Sequence, residues 1–274
     1  MRNLRVGLIG CGVIGGFVLD GVIAGKVDNI DLVVIAEIVE RPQQMKKAKD
    51  HGIDWITDAQ AVLNLDLDVV IEAASHEALE SYGEEILRAG IDLIPVSVGA
   101  LVDSEFLQRL WNAAVEGGSK LHIPSGGIGG LDALQAVINT NVDEVSMTTR
   151  KPPLAWKGVS YVEQMNLDLE NMVEPTLLYD GPARECVKKF PQSINIAAAL
   201  SLAGIGFDAT HIRIMADPTV QHNTHEIQCK GDAGRFTMTL ENVPVPANPK
   251  TTYQACLSVL ATLKNIRSSY RVGT

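Results

Sequence analysis

The first fifteen residues constrain the fold of this chain most. An apolar segment, residues 4–9, runs directly into the spacing Gly-x-Gly-x-x-Gly, and a helix-compatible stretch follows. The first glycine permits a tight turn, the second lets a pyrophosphate approach the backbone, and the third lets the helix pack close to the strand. The helix N-terminus adds N–H groups and the positive end of its dipole. The turn therefore predicts dinucleotide contacts at Gly10, Gly12, Val13, Ile14 and Gly15.

Apolar segments and helical segments alternate through the rest of the N-terminal half. Near-continuous apolar runs are typical of parallel strands that are covered on both faces. We therefore expect a complete doubly wound α/β unit, the Rossmann fold, with six strands joined by crossovers. The predicted strands are residues 4–9, 30–36, 53–56, 67–73, 91–97 and 120–124, and the predicted helices are residues 13–24, 43–50, 77–89 and 103–116.

Glu37 ends the second predicted strand, 22 positions after Gly15. A carboxylate at this place accepts the ribose hydroxyls of the adenosine, and it favours NAD because it repels the 2′-phosphate of NADP. The alternative is a solvated acid at a strand end. Arg41 lies close enough in sequence to soften the preference, so NADP remains an alternative cofactor.

Two further loops follow strands of the same predicted sheet. Ligands in such sheets bind at the carboxyl ends of the strands, so we expect residues 73–76 and 97–100 to form the walls of the nicotinamide pocket. The predicted contacts are Ala74, Ser75 and Ser97. His76 follows directly, and a role flanking the next helix is favoured over a catalytic role.

The pattern changes at Ser125. A glycine-rich segment, residues 125–130, indicates a hinge close to the substrate in preference to a second phosphate cradle. Clustered strands with few helices predict an α+β domain with an antiparallel sheet. Strands are predicted at residues 142–150, 176–179, 211–215, 225–230 and 235–243, and helices at 131–138, 193–202 and 250–267. We divide the chain into two domains. Residues 1–124 form a dinucleotide-binding domain, which the C-terminal segment 250–274 would complete in one arrangement. Residues 125–249 form a substrate, catalytic and dimerisation domain.

Two histidines three apart, His222 and His225, suggest a metal site at first sight. On a strand this odd separation directs them to opposite faces, and no carboxylate or cysteine completes a ligand set, so no metal is expected. The same parity groups Asn223, His225, Ile227 and Cys229 on one mostly apolar face. From the residues alone, His225 is equally a hydrogen-bonded core histidine or a near-neutral base in a buried pocket.

Composition excludes several classes of function. The formal net charge of −10 argues against nucleic acid as a partner, and no apolar run approaches the length of a membrane span. The four cysteines are far apart, which predicts reduced, buried thiols without a metal. Because a strand begins at once, no signal peptide is expected, and the predicted location is cytoplasmic.

Several motifs together resemble the L-aspartate dehydrogenase family, across nearly the whole chain and in the same order. Besides the glycine turn, they are Pro-Ser-Gly-Gly-Ile-Gly-Gly-Leu-Asp-Ala at 124–133, Phe-Pro at 190–191, Asn-Ile-Ala-Ala at 195–198, Ala-Asp-Pro at 216–218, Asn-Thr-His-Glu-Ile at 223–227 and Asn-Pro-Lys-Thr at 248–251. One departure is visible, because this family often has alanine where this chain has Gly127.

The resemblance implies oxidation of L-aspartate to iminoaspartate with NAD or NADP, which feeds nicotinamide-nucleotide synthesis in some organisms. It implies that His225 is the active-site residue and that Gly127 and Asn195 contact the cofactor. We expect a small-molecule substrate and a homodimer. An acidic chain needs local donors to hold the two carboxylates of aspartate, and the candidates are His222, Asn223, Lys250, Thr251 and Thr252.

Two other functions are alternatives for a chain with this architecture. Homoserine dehydrogenase shares this architecture, but the Asn223-x-His225 motif does not suit it. A non-catalytic dinucleotide sensor, whose second half serves as a dimerisation surface, is the alternative from another class, because fold alone does not fix function. A sensor would show no turnover with any amino acid.

Overall fold

The computed structural model describes residues 2–191 and 195–273. Its contacts divide the chain into two units. The first unit runs up to Pro124 and takes in Cys256–Arg271, and the second unit is Ser125–Ala255 with the last residues of the chain. No helix in the described ranges is long and apolar enough to cross a membrane.

The first unit is an alternating α/β structure. Its strands are β1 (Leu4–Ile9), β2 (Ile30–Ala36), β3 (Asp54–Ile56), β4 (Val69–Glu72) and β5 (Asp92–Pro95), and its main helices are α1 (Val13–Ile23), α2 (Pro42–Asp50), α3 (His76–Arg88) and α4 (Ser104–Gly117). The strands form one sheet in the order β3-β2-β1-β4-β5, and every pair is parallel. The doubly wound prediction is confirmed, with element bounds shifted by a few residues.

The prediction of a sixth strand in this unit, at residues 120–124, is wrong. It is reduced to one parallel bridge between Leu121 and Leu93. The backbone of residues 120 and 122 exchanges hydrogen bonds with Leu93, but Pro124 has no N–H to extend the ladder. The sheet of this unit therefore has five strands among the described residues.

The ends of α4 follow from its sequence. The Asp103 carboxylate accepts the backbone N–H groups of Glu105 and Phe106, which is the cap expected of an acidic residue before a helix. Gly118 closes the helix with a φ of 66°. An acidic residue before the helix and a glycine after it, both visible in the sequence, therefore set the two ends of α4.

The second unit contains the elements between residues 131 and 252. Its helices are α5 (Leu131–Val137), α6 (Ser160–Glu163), α7 (Ala183–Lys189) and α8 (Asn195–Ala203), and its strands are β6 (Val142–Lys151), β7 (Thr176–Pro182), β8 (His211–Ala216), β9 (Asn223–Gly231), β10 (Gly234–Asn242), β11 (Pro244–Val245) and β12 (Asn248–Thr252). The predicted start of a helix at Ser193 lies outside the described residues.

The main sheet of the second unit has the order β10-β9-β6-β8-β7. The prediction of an antiparallel sheet needs one correction, because β6 and β8 are parallel. The chain between them contains helices and β7, and such a long connection can return the strand in the same direction. The remaining neighbours in this sheet are antiparallel.

The last helix begins later than predicted. Residues 248–252 form β12, which pairs with β11, and the helix α9 is Tyr253–Arg267. Lys250, Thr251 and Thr252 therefore lie on a strand and not in the first turn of the helix. From residue 256 on, α9 belongs to the first unit, where Leu260 packs against Gly21 of α1 so closely that a Cβ on this glycine would lie 2.5 Å from a Leu260 methyl.

Candidate functional site

The glycine turn of the first unit has the shape of a phosphate cradle. Gly10 has a φ of 88°, and a Cβ there would lie 2.7 Å from the backbone of Ala73. A Cβ on Gly15 would lie 2.1 Å from the carbonyl oxygen of Gly10. In front of Gly12, by contrast, a Cβ would meet only the Arg41 guanidinium, at 3.7 Å. Gly12 is also the N-cap of α1. The backbone is thus open at the one position where a pyrophosphate must approach.

Glu37 is almost fully buried beside this turn. Its carboxylate accepts the backbone N–H groups of Cys11 and Val39, each at 2.8 Å, and the Nε–H of Arg41 at 2.9 Å. Burial alone would raise the pKa of Glu37, but these three hydrogen bonds outweigh burial and hold it below the ordinary value. The group is therefore an anion at neutral pH. It retains acceptor capacity for ribose hydroxyls, and it has a cation beside it.

A second buried carboxylate, Glu72, joins the two loops that the sequence predicts as nicotinamide walls. It accepts the backbone N–H groups of Ala74 at 2.8 Å, Ser75 at 2.9 Å and Ser97 at 3.1 Å, and also the Ser97 hydroxyl at 3.0 Å. Burial raises the pKa of Glu72, and these hydrogen bonds oppose that rise. The structure thus brings three predicted cofactor residues around one side chain. His76 begins α3, directly after its N-cap Ser75.

The alternation along β9 follows the predicted parity. Asn223, His225, Ile227 and Cys229 are buried, whereas the residues between them are partly or fully exposed. In the register of the sheet, His225 is opposite Thr149 of β6, and Asn223 is opposite Asn242 of β10. Together with Lys151, at the end of β6, these buried side chains form what we call the polar cluster: Thr149, Lys151, Asn223, His225 and Asn242.

His225 is held in one orientation inside the polar cluster. Its Nδ1 lies 3.0 Å from the Thr149 hydroxyl oxygen, which leaves Nε2 as the ring nitrogen available to a ligand. Burial, together with the positive charge of Lys151, lowers the pKa of His225 to about 3. The imidazole is therefore neutral at physiological pH.

Two buried polar atoms at the start of β9 have no hydrogen-bond partner among the described residues. They are Oδ1 of Asn223 and Nδ1 of His222, which directly precedes β9. Buried polar groups in proteins are nearly always paired, since leaving one unpaired costs about 1–3 kcal/mol. These atoms favour a ligand pocket over the alternative of a hydrogen-bonded core histidine.

The glycine-rich segment and β12 adjoin the polar cluster. The Asn242 amide donates to the carbonyl of Gly127, and a Cβ on Gly127 would lie 3.0 Å from that amide nitrogen and 3.3 Å from the Thr252 hydroxyl. A Cβ on Gly126 would lie 3.2 Å from Ile196, the neighbour of Asn195. The predicted cofactor residues Gly127 and Asn195 thus lie on adjoining segments. An alanine at 127, as the resemblance suggests, would crowd Asn242.

The other predicted substrate residues differ in their placement. Lys250 is exposed, but its positive charge contributes to lowering the pKa of the buried Lys151. Thr252 is buried, and its hydroxyl accepts from the N–H of Ala255 at 3.4 Å. Thr251 accepts from the Asn248 side chain. Lys250 and Thr252 therefore lie near the polar cluster, whereas the contacts of Thr251 connect it only to Asn248.

Sequence reasoning missed Thr149, Lys151, Asn242 and Glu72. One signal was available for the lysine, because it continues the buried alternation of Val145, Met147 and Thr149 on β6. All four cysteines are buried and unpaired by disulfides, as predicted. Within residues 2–191 and 195–273 no group of three or more His, Cys, Asp or Glu side chains could hold a metal ion.

Comparison with known proteins gives two family models and several full-length relatives. The model described as "Homoserine dehydrogenase, NAD binding domain" matches residues 10–124, and the model described as "Aspartate dehydrogenase, C-terminal" matches residues 132–266. The L-aspartate dehydrogenase of Methanosarcina barkeri is 40% identical over 99% of this chain and 100% of its own. That of Ralstonia pickettii is 38% identical over 96% of this chain and 97% of its own.

The chain is also similar to a solved structure. The aspartate dehydrogenase of Thermotoga maritima superposes with a TM-score of 0.76 at 27% sequence identity, covering 99% of this chain and 100% of that one. Sequence and fold therefore agree over the whole length of the chain.

The pairing of Glu37 with Arg41 generates a prediction about cofactor choice. Replacing Glu37 by serine removes the charge that repels a 2′-phosphate and releases the Arg41 guanidinium to bind it. We expect the ratio of NADP affinity to NAD affinity to rise by roughly 10–100-fold, as charge-assisted phosphate contacts allow. Titration calorimetry with both nucleotides measures it.

The double variant Glu37→Ser with Arg41→Ala is the matched control. It should lose most of the gain for NADP, because the phosphate then has no cation at this position. An unchanged NADP-to-NAD ratio in the single variant would contradict the assignment of Glu37 to the adenosine ribose.

Proposed function

The chain belongs to the L-aspartate dehydrogenase family, and we propose that it oxidises L-aspartate to iminoaspartate, with NAD as the hydride acceptor and NADP as an alternative. It is an oxidoreductase acting on a carbon that bears an amino group. The observation that carries the proposal for the site is His225, buried and neutral, beside a polar atom of Asn223 that has no partner among the described residues. The imine product hydrolyses in water to oxaloacetate and ammonia, and the reverse reductive amination uses the same groups.

The dinucleotide fits the first unit. The open backbone at Gly12 admits the pyrophosphate, and Glu37 is ionised and placed for the ribose. Glu72 fixes the loops that carry Ala74, Ser75 and Ser97. A nicotinamide bound here would supply the acceptor for the hydride of the substrate α-carbon. The residues that we assign to cofactor binding are Gly10, Gly12, Val13, Ile14, Gly15, Glu37, Ala74, Ser75, Ser97, Gly127 and Asn195.

We assign the proton acceptor to Nε2 of His225. Hydride leaves the α-carbon only when the nitrogen lone pair can form the C=N bond, so the α-ammonium must first lose a proton. The Thr149 hydroxyl accepts from Nδ1–H in the tautomer that leaves the Nε2 lone pair free to take that proton. Burial and the charge of Lys151 make this imidazole a weak base, and the negative charge of the substrate carboxylates restores its basicity.

Activity and binding should separate in a His225→Ala variant. General acid–base groups contribute about 10²–10⁴ in rate, so we expect kcat for L-aspartate to fall by that order. NAD affinity should stay within a few-fold, because the nucleotide contacts of the first unit are unchanged. Steady-state kinetics, calorimetry with NAD and a thermal melt measure the three quantities.

The matched control is His211→Ala, a histidine of β8 whose ring pairs with Asp180 on the surface. It should retain near-normal turnover. Near-full activity of His225→Ala would show that the proton is taken elsewhere, and His76 or a water molecule would then be the next candidate.

An ordinary histidine pKa of about 6.5 would place an acidic limb near that pH, and the burial of His225 argues against such a limb in the free protein. A His225 pKa of about 3 means that the imidazole is already neutral when pH rises through 6.5. The profile of kcat/KM reports groups of the free protein. It should therefore show no rise centred near 6.5 that depends on His225.

The measurement is the pH dependence of kcat/KM for L-aspartate between about pH 5.5 and 8. A limb near 6.5 in the wild type that is absent from His225→Gln would contradict the assigned environment of the imidazole.

We also propose a homodimer acting in the cytoplasm, as the sequence analysis expects. Light scattering on the purified protein should then give twice the chain mass of 29.5 kDa. A mass of one chain at micromolar concentration would count against the dimer.

A further inference from the structure

Lys151 is a buried lysine at the end of β6, and only 3% of it is exposed. Its ammonium lies 4.7 Å from the ring centre of Trp156, a distance that allows a cation–π contact. Burial, with a smaller contribution from the charge of Lys250, lowers its pKa to about 8. Burying an ammonium costs several kcal/mol even after relaxation, so a lysine at such a position calls for a physical reason.

The position of Lys151 connects it to His225. It lies two residues beyond Thr149 on the same face of β6, and Thr149 contacts the imidazole. Burial is the larger cause of the lowered pKa of His225, and the nearby charge of Lys151 lowers that pKa further. A cation beside a base weakens that base, so the charge of Lys151 is unfavourable for the reaction unless a negative charge balances it.

An unpaired polar atom on the same face of β9 as His225 indicates a ligand. Asn223 is 2% exposed, and its Oδ1 is buried without a partner among the described residues. L-aspartate carries two carboxylates and one ammonium, while the chain has a net charge of −10. The second unit must therefore supply a local cation for a carboxylate and a local acceptor for the ammonium.

We propose that Lys151 is the substrate-binding cation of the polar cluster and that its ammonium forms an ion pair with a carboxylate of L-aspartate. This inference rests on the proposed function and adds a residue that the sequence analysis did not include. The ion pair also couples binding to catalysis. A carboxylate on Lys151 cancels the charge that weakens His225, so the base gains strength when the correct substrate is bound.

The alternative role for the same lysine is that of the proton acceptor. The two roles differ in what the side chain does for an analogue that has carboxylates but no amino group. An ion-pair partner contributes to the affinity of such an analogue, whereas a proton acceptor contributes only to turnover. Succinate is therefore a discriminating probe, because it has both carboxylates and nothing to oxidise or deprotonate.

The test is calorimetry of succinate binding to the NAD-loaded protein, with Lys151→Met as the neutral variant of similar length. We expect the affinity for succinate to fall roughly 10²-fold, in line with the loss of one partner of a desolvated charge pair. KM for L-aspartate should rise in parallel, and NAD affinity should not change. The matched control, Lys157→Met, removes an exposed lysine of the same unit and should bind succinate normally.

Lys151→Arg keeps the charge and serves as the second variant if the methionine variant melts early. It should retain more succinate affinity than a neutral variant, which is Lys151→Met or, where that variant melts early, Lys151→Gln. Unchanged succinate affinity in a neutral variant overturns the proposal. Unchanged affinity with kcat reduced about 10²-fold or more also overturns it, and would make Lys151 the proton acceptor.

The test of Lys151 and the test of the proposed function have distinguishable results. If the wild-type protein forms no NADH or NADPH from L-aspartate, the proposed activity fails whatever the succinate titrations show. If it oxidises L-aspartate while Lys151→Met binds succinate as the wild type does, only the assignment of Lys151 fails.

Discussion

The contact between Thr149 and His225 across β6 and β9 is the interaction on which the site depends. It exists only in the observed register, which also sets Asn223 opposite Asn242. A shift of one residue would move every side chain of β9 to the other face. Glu226 would then be buried in place of the histidine. Strands β6, β9 and β10 thus fix the orientation of the base, with the buried Thr149 on one side of it and the partly buried Leu240 on the other.

In the first unit, buried carboxylates have the corresponding role. Glu37 and Glu72 each stand where a parallel strand ends, and each accepts backbone N–H groups from the loop that follows. Glu37 also binds the glycine turn through Cys11, and Glu72 reaches across to Ser97. The chain's acidic residues therefore include two that organise the nucleotide-binding loops.

Local signals in the sequence predict a large part of the fold and of the candidate site. The glycine turn, the strand that ends at Glu37 and the parity that buries His225 all depend on neighbours within a few residues. Lys151 and Glu72 were missed because their roles arise from pairing between distant segments. The start of the last helix was misplaced because β12 exists only by pairing with β11, and residues 120–124 were overestimated because Pro124 ends their ladder.

All of these interactions serve one proposed reaction, the oxidation of L-aspartate. The most direct measurement is the formation of NADH or NADPH by the purified wild-type protein with each of the twenty amino acids in turn. Donors placed for two carboxylates are left unpaired by a neutral side chain, and unpaired buried donors are costly. L-aspartate should therefore be oxidised with far higher kcat/KM than L-asparagine, and also than L-glutamate, whose extra methylene moves the second carboxylate away from those donors. Equal efficiency with L-alanine, or no turnover with any amino acid, would contradict the account.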